Sequence, residues 1–271
     1  MTQNSKAKRN IVIYVIGVLL LAIIGGLLTS TTGSDVGGLL LIIGPLLLMA
    51  LLRFGGGDGW QDAGLRLQLK AAWRWYLFSL LAYPVTIALV IVLGVILGVT
   101  TVTGDLNTLL STLMGGVVAQ FIPRMLFALA EEWGWRGYLE PRLAALPVPD
   151  FPRHLFVGVI WALWHFPLIL STDYTTIPYL IFLPMFVIGV VVAAIVYGQL
   201  RKHSGTVWTS VLMHGAGNTV AWAILQSNLV TIQDKVLANI TPESLFVMII
   251  WGALGWWLLS SRKAARVGAG E

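Results

Sequence analysis

Two adjacent carboxylates stand at the end of an apolar stretch, in residues 127–139, which read FALAEEWGWRGYL. Glu132 and Arg136 are four residues apart, so on a helix they share a face and can form an ion pair. Glu131 is rotated from Glu132 by about 100° around the helix axis and therefore points elsewhere. This spacing puts two chemically identical groups into different environments, which is how proteins divide the roles of acid and base.

Two histidines in other apolar stretches are further candidates for chemistry. His165 lies in WALWHFPL, and His214 lies in VLMHGAGNT. His214 shares a helix face with Asn218, four residues later, so this face presents an imidazole and an amide together. Trp161 and His165 have the same spacing, which predicts that the indole packs against the imidazole and orients it.

The composition places these polar groups in a membrane protein. Of the 271 residues, 57% are hydrophobic and only 11% are charged, whereas soluble domains carry roughly 25% charged residues. A helix of about 20 apolar residues crosses the hydrocarbon core of a bilayer. The fold class predicted is therefore all-α, a polytopic membrane helix bundle of about eight transmembrane helices. The apolar runs lie near residues 11–30, 37–52, 76–99, 114–133, 155–171, 177–199, 206–226 and 244–260.

The basic residues predict the orientation of the bundle. With the N-terminus inside, Lys235 is the only lysine or arginine in the outer connections, and Arg124 alone falls within a predicted span. This distribution follows the positive-inside rule and predicts that both termini are cytoplasmic. We expect cytoplasmic tails at residues 1–10 and 261–271 around a single transmembrane domain at residues 11–260.

Composition also limits the partners. In the sequence the basic residues are dispersed and form no patch, so a nucleic acid partner is not expected. Membrane lipids are the expected surroundings of a multi-pass protein of the cell membrane. The absence of cysteine rules out disulfides, a thiol nucleophile and thiolate metal sites.

Ionisable groups at bilayer depth cost at least ~2.5–3.5 kcal/mol, so they face protein or water and usually have a function. We expect Arg124, two helical turns before Glu131, to compensate a buried carboxylate. His154 and His203 fall in predicted cytoplasmic connections, where a solvated surface role is expected. The simpler interpretations of the other groups are a structural ion pair for Glu132 and Arg136 and interhelical hydrogen bonds for the two intramembrane histidines.

Three motifs, in this order, resemble those of the CPBP family, the CAAX-prenyl-protease and bacteriocin-processing group of intramembrane proteases. The run EEWGWR at 131–136 is similar to the family's E-E-x-x-x-R motif. WALWH at 161–165 is similar to its second motif, an aromatic residue followed by x-x-x-H, with Trp where Phe is usual. HGAGN at 214–218 is similar to the third motif, H-x-x-x-N or H-x-x-x-D. The motifs lie in a core of residues 114–226, and the N-terminal half shares only hydropathy with the family.

The resemblance implies an intramembrane endopeptidase whose site lies in a water-filled cavity that opens towards the cytoplasm. Glu131 would be the general base that activates water, and His165 would help to hold that water. His214 and Asn218 would stabilise the oxyanion of the tetrahedral intermediate. Three other motif residues would organise the site: Glu132, Arg136 and Trp161. The implied substrate is a hydrophobic or lipidated peptide, cleaved near the cytoplasmic membrane face.

A cofactor is not required by this residue set, because one glutamate, two histidines and an asparagine already form a complete water-activating site. Zinc is the alternative, since Glu131, His165 and His214 could supply three ligands and leave a fourth position open. Two other classes of function are also considered. A proton-coupled transporter uses Glu and His as relay residues, and an immunity or scaffold protein would have no catalytic role.

Overall fold

The computed structural model describes residues 3–33 and 35–267, and most of these residues are helical. The helices are α1 (Gln3–Thr32), α2 (Asp35–Phe54), α3 (Leu69–Ile96), α4 (Leu106–Gly134), α5 (Glu140–Ala144), α6 (Asp150–Ser171), α7 (Tyr179–Ser204), α8 (Trp208–Gln226), α9 (Lys235–Ala238) and α10 (Leu245–Val267). A π-helical turn, Trp135–Leu139, joins α4 to α5, and two short strands, β1 (Thr100–Val102) and β2 (Val230–Ile232), pair in antiparallel fashion.

The prediction of an all-α polytopic bundle is confirmed. Each of the eight apolar runs lies on a helix of 19 residues or more. In the described part of the chain, six helices are long and apolar enough to cross a membrane, namely α1, α2, α3, α4 continued through α5, α6 and α7. Helix α8 falls outside this set because polar residues and glycines interrupt it, and the apolar part of α10 is shorter, Leu245–Ser261.

The two expected tails are mostly helical where the structure describes them. Helix α1 begins at Gln3, so residues 3–10 belong to it, and α10 continues to Val267. The rest of these tails, residues 1–2 and 268–271, lies outside the described residues.

Three connections gather at one end of the bundle, called here the basic face: residues 55–68, 135–149 and 205–207. The Gln68 side chain donates a hydrogen bond to the Gly205 carbonyl at 3.1 Å, which ties the first connection to the third. No regular secondary structure is assigned to residues 55–68, so side-chain contacts with their neighbours hold this segment in place.

The other connections meet at the opposite end, called here the acidic face: residues 97–105, 172–178 and 227–244. The strand pair joins the first to the third, and Lys235 Nζ donates to Thr176 Oγ1 at 3.1 Å, which joins the third to the second. Four acidic residues and one lysine lie on these connections: Asp105, Asp173, Asp234, Glu243 and Lys235.

Helix α8 packs closely against α4 and α3 because glycines remove side chains from the contacts. A Cβ atom added at Gly215 would lie 2.2 Å from Met125 Sδ of α4, and one at Gly217 would lie 2.5 Å from the Tyr83 ring of α3. This packing brings His214 of α8 next to the glutamates of α4.

Two neighbouring glycines of α4 test this helix contact. A Cβ at Gly116 would lie 2.8 Å from Ala223 Cβ of α8, whereas a Cβ at Gly115 meets nothing within 4 Å. We expect Gly116→Ala to destabilise the protein by about 1–3 kcal/mol, because it forces the helices apart. Gly115→Ala should be neutral or stabilising by up to about 1 kcal/mol, because alanine is the better helix former. Unfolding of both variants in detergent measures the difference, and equal effects would contradict the packing.

Candidate active site

The glutamate pair lies inside a continuous helical segment and not at its end. The π turn and α5 carry the helix on to Ala144, 13 residues beyond Glu131, which corresponds to about 20 Å at 1.5 Å per residue. The apolar stretch therefore ends at these carboxylates, but the helix does not. Hydropathy falls after residue 133, but the backbone remains helical, and this places Glu131 well below the basic face.

Glu132 is bound on two sides. Arg136 Nη1 lies 3.1 Å from Glu132 Oε1, and neither residue is exposed at all. His214 Nδ1 lies 3.0 Å from the same carboxylate oxygen. Because a carboxylate accepts, the imidazole donates its Nδ1–H, and this fixes the ring so that Nε2 points away from Glu132.

Aromatic rings complete the surroundings of Arg136. Its guanidinium carbon lies 4.3 Å from the centre of the Trp161 ring and 4.5 Å from that of Tyr197. Within the described chain, Nε and Nη2 of this arginine have no hydrogen-bond acceptor. Attraction to the faces of these two rings is therefore the main interaction that offsets the loss of hydration on this side of the guanidinium group.

Glu131 faces a different environment from Glu132. Its Oε2 accepts a hydrogen bond from Trp161 Nε1 at 3.1 Å, and its Oε1 lies 4.0 Å from His214 Nε2. In the described structure, no arginine or lysine forms an ion pair with Glu131, whereas Glu132 is paired with Arg136. The separation of the two carboxylates predicted from the 100° rotation is present.

The indole of Trp161 packs against the imidazole of His165, as the sequence predicts, but its N–H group binds a different residue. Its indole ring centre is 6.1 Å from that of His165, and the polar contact of this imidazole is Nδ1 to the Trp161 backbone carbonyl at 2.8 Å. The indole N–H binds Glu131 instead. The sequence did contain a signal for this contact. Trp161 stands at a motif position where Phe is usual, and a Trp there adds an N–H hydrogen-bond donor as well as a larger ring.

His165 is oriented by its own helix. Because the carbonyl of Trp161 can only accept, Nδ1 carries the proton, and Nε2 of the neutral ring is left as an acceptor. The ring packs edge-on against Trp164 and Phe186, with centroids 4.6 Å and 5.3 Å away. Aromatic packing therefore fixes its position while backbone hydrogen bonding fixes its tautomer.

The four residues predicted to be catalytic line one cavity of about 360 Å³: Glu131, His165, His214 and Asn218. The lining continues towards the acidic face, where Tyr174 and the turn formed by Thr241, Pro242 and Glu243 contribute. Burial raises the pKa of the Glu243 carboxyl. The lining contains no residue of the basic-face connections, all of which lie within the described part of the chain.

The basic-face side of the site is closed by hydrogen bonds to the π turn. Arg53 donates to the Gly137 carbonyl, and Arg201 Nε donates to the Arg136 carbonyl at 3.2 Å. Tyr138 donates to Asp58 Oδ2 at 2.7 Å, which fastens the 55–68 connection over the same turn.

Arg124 has a different environment from the one expected. In the described part of the chain no carboxylate lies within 4.0 Å of it, so it does not compensate a buried acid through a direct ion pair. Its guanidinium carbon is 5.9 Å from the Trp222 ring, and the residue lines the cavity. The spacing to Glu131 was a poor guide because two turns of helix keep the two groups about 10 Å apart.

The surface roles expected for His154 and His203 are also corrected. His154 is fully buried in α6, with Nδ1 2.9 Å from Glu140 Oε1 and Nε2 2.8 Å from the Gln199 amide nitrogen. His203 is in α7 and stacks on Trp75, with centroids 4.9 Å apart. Nearby arginine and lysine in the sequence suggested solvent, but helices α6 and α7 extend past them.

The described side chains are not arranged as a zinc site. No group of three or more His, Asp or Glu residues within the described ranges is placed to hold a metal ion. Among Glu131, His165 and His214, the His214 Nε2 to Glu131 Oε1 distance is 4.0 Å. Two ligands of a tetrahedral zinc ion, each ~2.0–2.1 Å from the metal, lie only about 3.3 Å apart.

Fold and site together define a multi-pass integral membrane protein with a polar cavity inside its helix bundle. Residues 121–220 match a family model described as type II CAAX prenyl endopeptidase, Rce1-like. The match contains all three motifs, and the resemblance to the CPBP family is confirmed over this part of the chain. At the level of the family, it supports a CAAX-type intramembrane endopeptidase. No curated protein matches the chain.

Removal of Arg136 tests its part in the site. Arg136→Met would leave Glu132 buried without its counter-charge, and we expect a loss of about 3–5 kcal/mol in unfolding free energy. Arg124→Met is the matched control on the same helix and should cost at most about 1 kcal/mol, because no ion pair is broken. Denaturation in detergent gives both values. The double variant Arg136→Met with Glu132→Gln should recover part of the loss, and failure of the single variant to exceed the control would contradict the assignment.

Proposed function

We propose that the chain is an intramembrane endopeptidase that hydrolyses a peptide bond of a hydrophobic or lipidated peptide, with a water molecule activated by Glu131 as the nucleophile. The observation that carries the proposal is the position of Glu131. It faces the cavity shared with His165, His214 and Asn218, while Arg136 pairs with the other glutamate. The family match over residues 121–220 supports the same reaction class.

In the proposed reaction, a water molecule lies between Glu131 and His165. Nε2 of His165 accepts a hydrogen bond from one hydrogen of this water. Glu131 takes a proton as the water oxygen attacks the carbonyl carbon of the substrate, and the carbonyl π electrons move to oxygen. His214 and Asn218 donate hydrogen bonds to this oxyanion. When the tetrahedral intermediate collapses, the C–N bond breaks and Glu131 passes its proton to the departing amine.

Glu132 organises the proposed oxyanion site. Its hydrogen bond from Nδ1 of His214 leaves Nε2 as the nitrogen nearer Glu131. Because Nδ1 already carries a proton, Nε2 donates only when the ring holds both protons, so His214 acts as an imidazolium in this proposal. The Trp161 indole keeps one oxygen of Glu131 occupied and leaves the other for water.

We further propose that α8 and α10 also span the membrane, giving eight spans within a single domain at residues 11–260. The support for α8 is its packing between α3 and α4. The distribution of Lys and Arg supports an orientation with both termini in the cytoplasm, since all but Lys235 and Arg124 lie at or near the basic face.

The reaction is proposed to need no metal. The site has a carboxylate to accept the proton of water and two groups that can donate hydrogen bonds to an oxyanion. We expect peptide hydrolysis by the purified protein to be unchanged by a strong chelator. Loss of activity with the chelator, restored by zinc and not by magnesium, would contradict a metal-free mechanism.

The decisive test replaces the proposed base. We expect Glu131→Gln to lower hydrolysis by about 10²–10⁴-fold, because the amide cannot accept the proton of water. The folded protein should still bind substrate, so peptides that co-purify with it can be identified by mass spectrometry. These peptides then serve as substrates for kinetic measurements on the wild-type protein.

Glu243→Gln is the matched control in the same cavity. Its Oε1 is bound by Asn239 and Thr241, and the turn that carries it lies at the acidic-face end of the lining. We expect this variant to keep hydrolysis within a few-fold of wild type. Persistence of hydrolysis in Glu131→Gln would contradict the proposed function.

A further inference from the structure

We propose that the protein carries a binding site for an anionic phospholipid in a groove between α3 and α10. One acyl chain lies in the groove, and the phosphate of the headgroup binds Arg74 and Lys70 at its basic-face end. The groove is separate from the cavity that Glu131 lines, and the inference does not depend on the proposed function.

The groove is apolar along nearly its whole length. Its volume is about 770 Å³, and it is lined by nine residues of α3, from Trp73 to Leu89, and by Ile250 and Leu254 of α10. Arg74 and Thr86 are the polar members of this lining. The 16 residues from Trp73 to Leu89 correspond to about 24 Å of helix, whereas half of the hydrocarbon core is about 15 Å thick. The groove is therefore long enough to hold one acyl chain.

The inner side of the groove is closed by contacts between the two helices. Trp251 Nε1 of α10 donates a hydrogen bond to Thr86 Oγ1 of α3 at 3.1 Å, and the Trp251 ring centre lies 4.2 Å from that of Tyr83. Both aromatic side chains are buried. Because these contacts fix the separation of α3 and α10, the hollow in front of them has a defined shape.

Positive charge is concentrated at one end of the groove. Lys70, Arg74 and Leu77 follow one another at helical spacing, so the two cations continue the apolar stripe of α3 towards the basic face. Both cations are exposed, and within the described part of the chain neither lies within 4.0 Å of a carboxylate. Trp73 beside them is 56% exposed, as is typical of tryptophan at the level of the lipid headgroups.

An anionic phospholipid is the ligand that matches both parts of this surface. Its phosphate supplies the negative charge that the two cations lack, and basic residues beside a membrane attract lipids of this kind. A soluble anion has no acyl chain to fill the groove, and a lipid without net charge leaves the cations uncompensated. A second copy of the chain, related by a two-fold axis, would bring the same cations to the same contact, so like charges would oppose its association.

Lipid binding can be measured on the protein without any substrate. The purified protein is stripped of lipid in detergent and titrated with phosphatidylglycerol or with phosphatidylcholine that carries the same acyl chains. Native mass spectrometry then gives the fraction of protein with bound lipid. We expect the Kd for phosphatidylglycerol to be about 5–30-fold lower, because each basic residue near an anionic headgroup contributes a factor of about five.

Two pairs of variants locate the site. Arg74→Gln should raise the Kd for phosphatidylglycerol by about fivefold and leave that for phosphatidylcholine unchanged. Lys8→Gln is its control, since it removes an exposed cation of α1 near the same face but outside the groove, and it should change neither Kd. Ala82→Phe fills the groove and should weaken the binding of both lipids. Ala88→Phe, at an exposed position of α3 outside the lining, should not.

Each of four results would overturn the proposal. Equal Kd values for the two lipids in the wild-type protein would show that headgroup charge is not recognised. An equal effect of Lys8→Gln and Arg74→Gln would show general attraction to the basic face. An equal effect of Ala88→Phe and Ala82→Phe would show binding outside the groove. A wild-type dimer that Ala82→Phe converts to a monomer would assign the groove to a second copy of the chain. If Ala82→Phe does not fold, the comparison of Arg74→Gln with Lys8→Gln decides.

Discussion

The buried ion pair of Glu132 and Arg136 is the interaction on which the rest of the site depends. Two charges with no solvent exposure lose hydration worth several kcal/mol each, and their attraction offsets this only when the geometry is good. The arginine lies between rings from α6 and α7, and the glutamate also binds an imidazole from α8. Four elements are therefore held at one point, because displacing any of them would leave a charge in apolar surroundings.

The π turn explains how this pair can sit inside a continuous helix. A π-helical turn widens the backbone and disrupts the regular hydrogen-bond ladder. Here the carbonyls of Arg136 and Gly137 accept hydrogen bonds from Arg201 and Arg53, which belong to other segments. The same groups that satisfy the altered backbone also attach the connections of the basic face to it. The local irregularity of α4 and the seal beneath the site are thus one structural feature.

Sequence was sufficient where the physical cause is local. Apolar runs indicated the helices because lipid contact requires apolar side chains over a whole span, and the four-residue spacing of Glu132 and Arg136 indicated their pairing. It was insufficient where partners are distant along the chain. The contact between Trp161 and Glu131 spans 30 residues, and the burial of His154 depends on Gln199, 45 residues away. The continuation of α4 beyond residue 133 was also missed, because polar residues inside a bundle resemble the end of a span.

The direction of the cavity is likewise a property of the assembled bundle. The sequence of each helix shows only where its polar residues lie. The positions of these residues suggested a site close to the connections of the basic face. In the structure, the segment beyond Glu132 is packed and hydrogen-bonded, while the segments towards the acidic face separate around a cavity.

The contacts of Glu131 bring these constraints together. One of its oxygens is held by an indole N–H, and the other lies 4.0 Å from His214 Nε2, too far for a hydrogen bond. Because Glu132 fixes the imidazole from behind, this gap cannot close by rotation of the ring without loss of a buried hydrogen bond. A gap of this size between a base and a donor is where a reacting water or carbonyl oxygen can contact both. Under the proposed function, the ion pair therefore acts at a distance, by keeping the space beside Glu131 open.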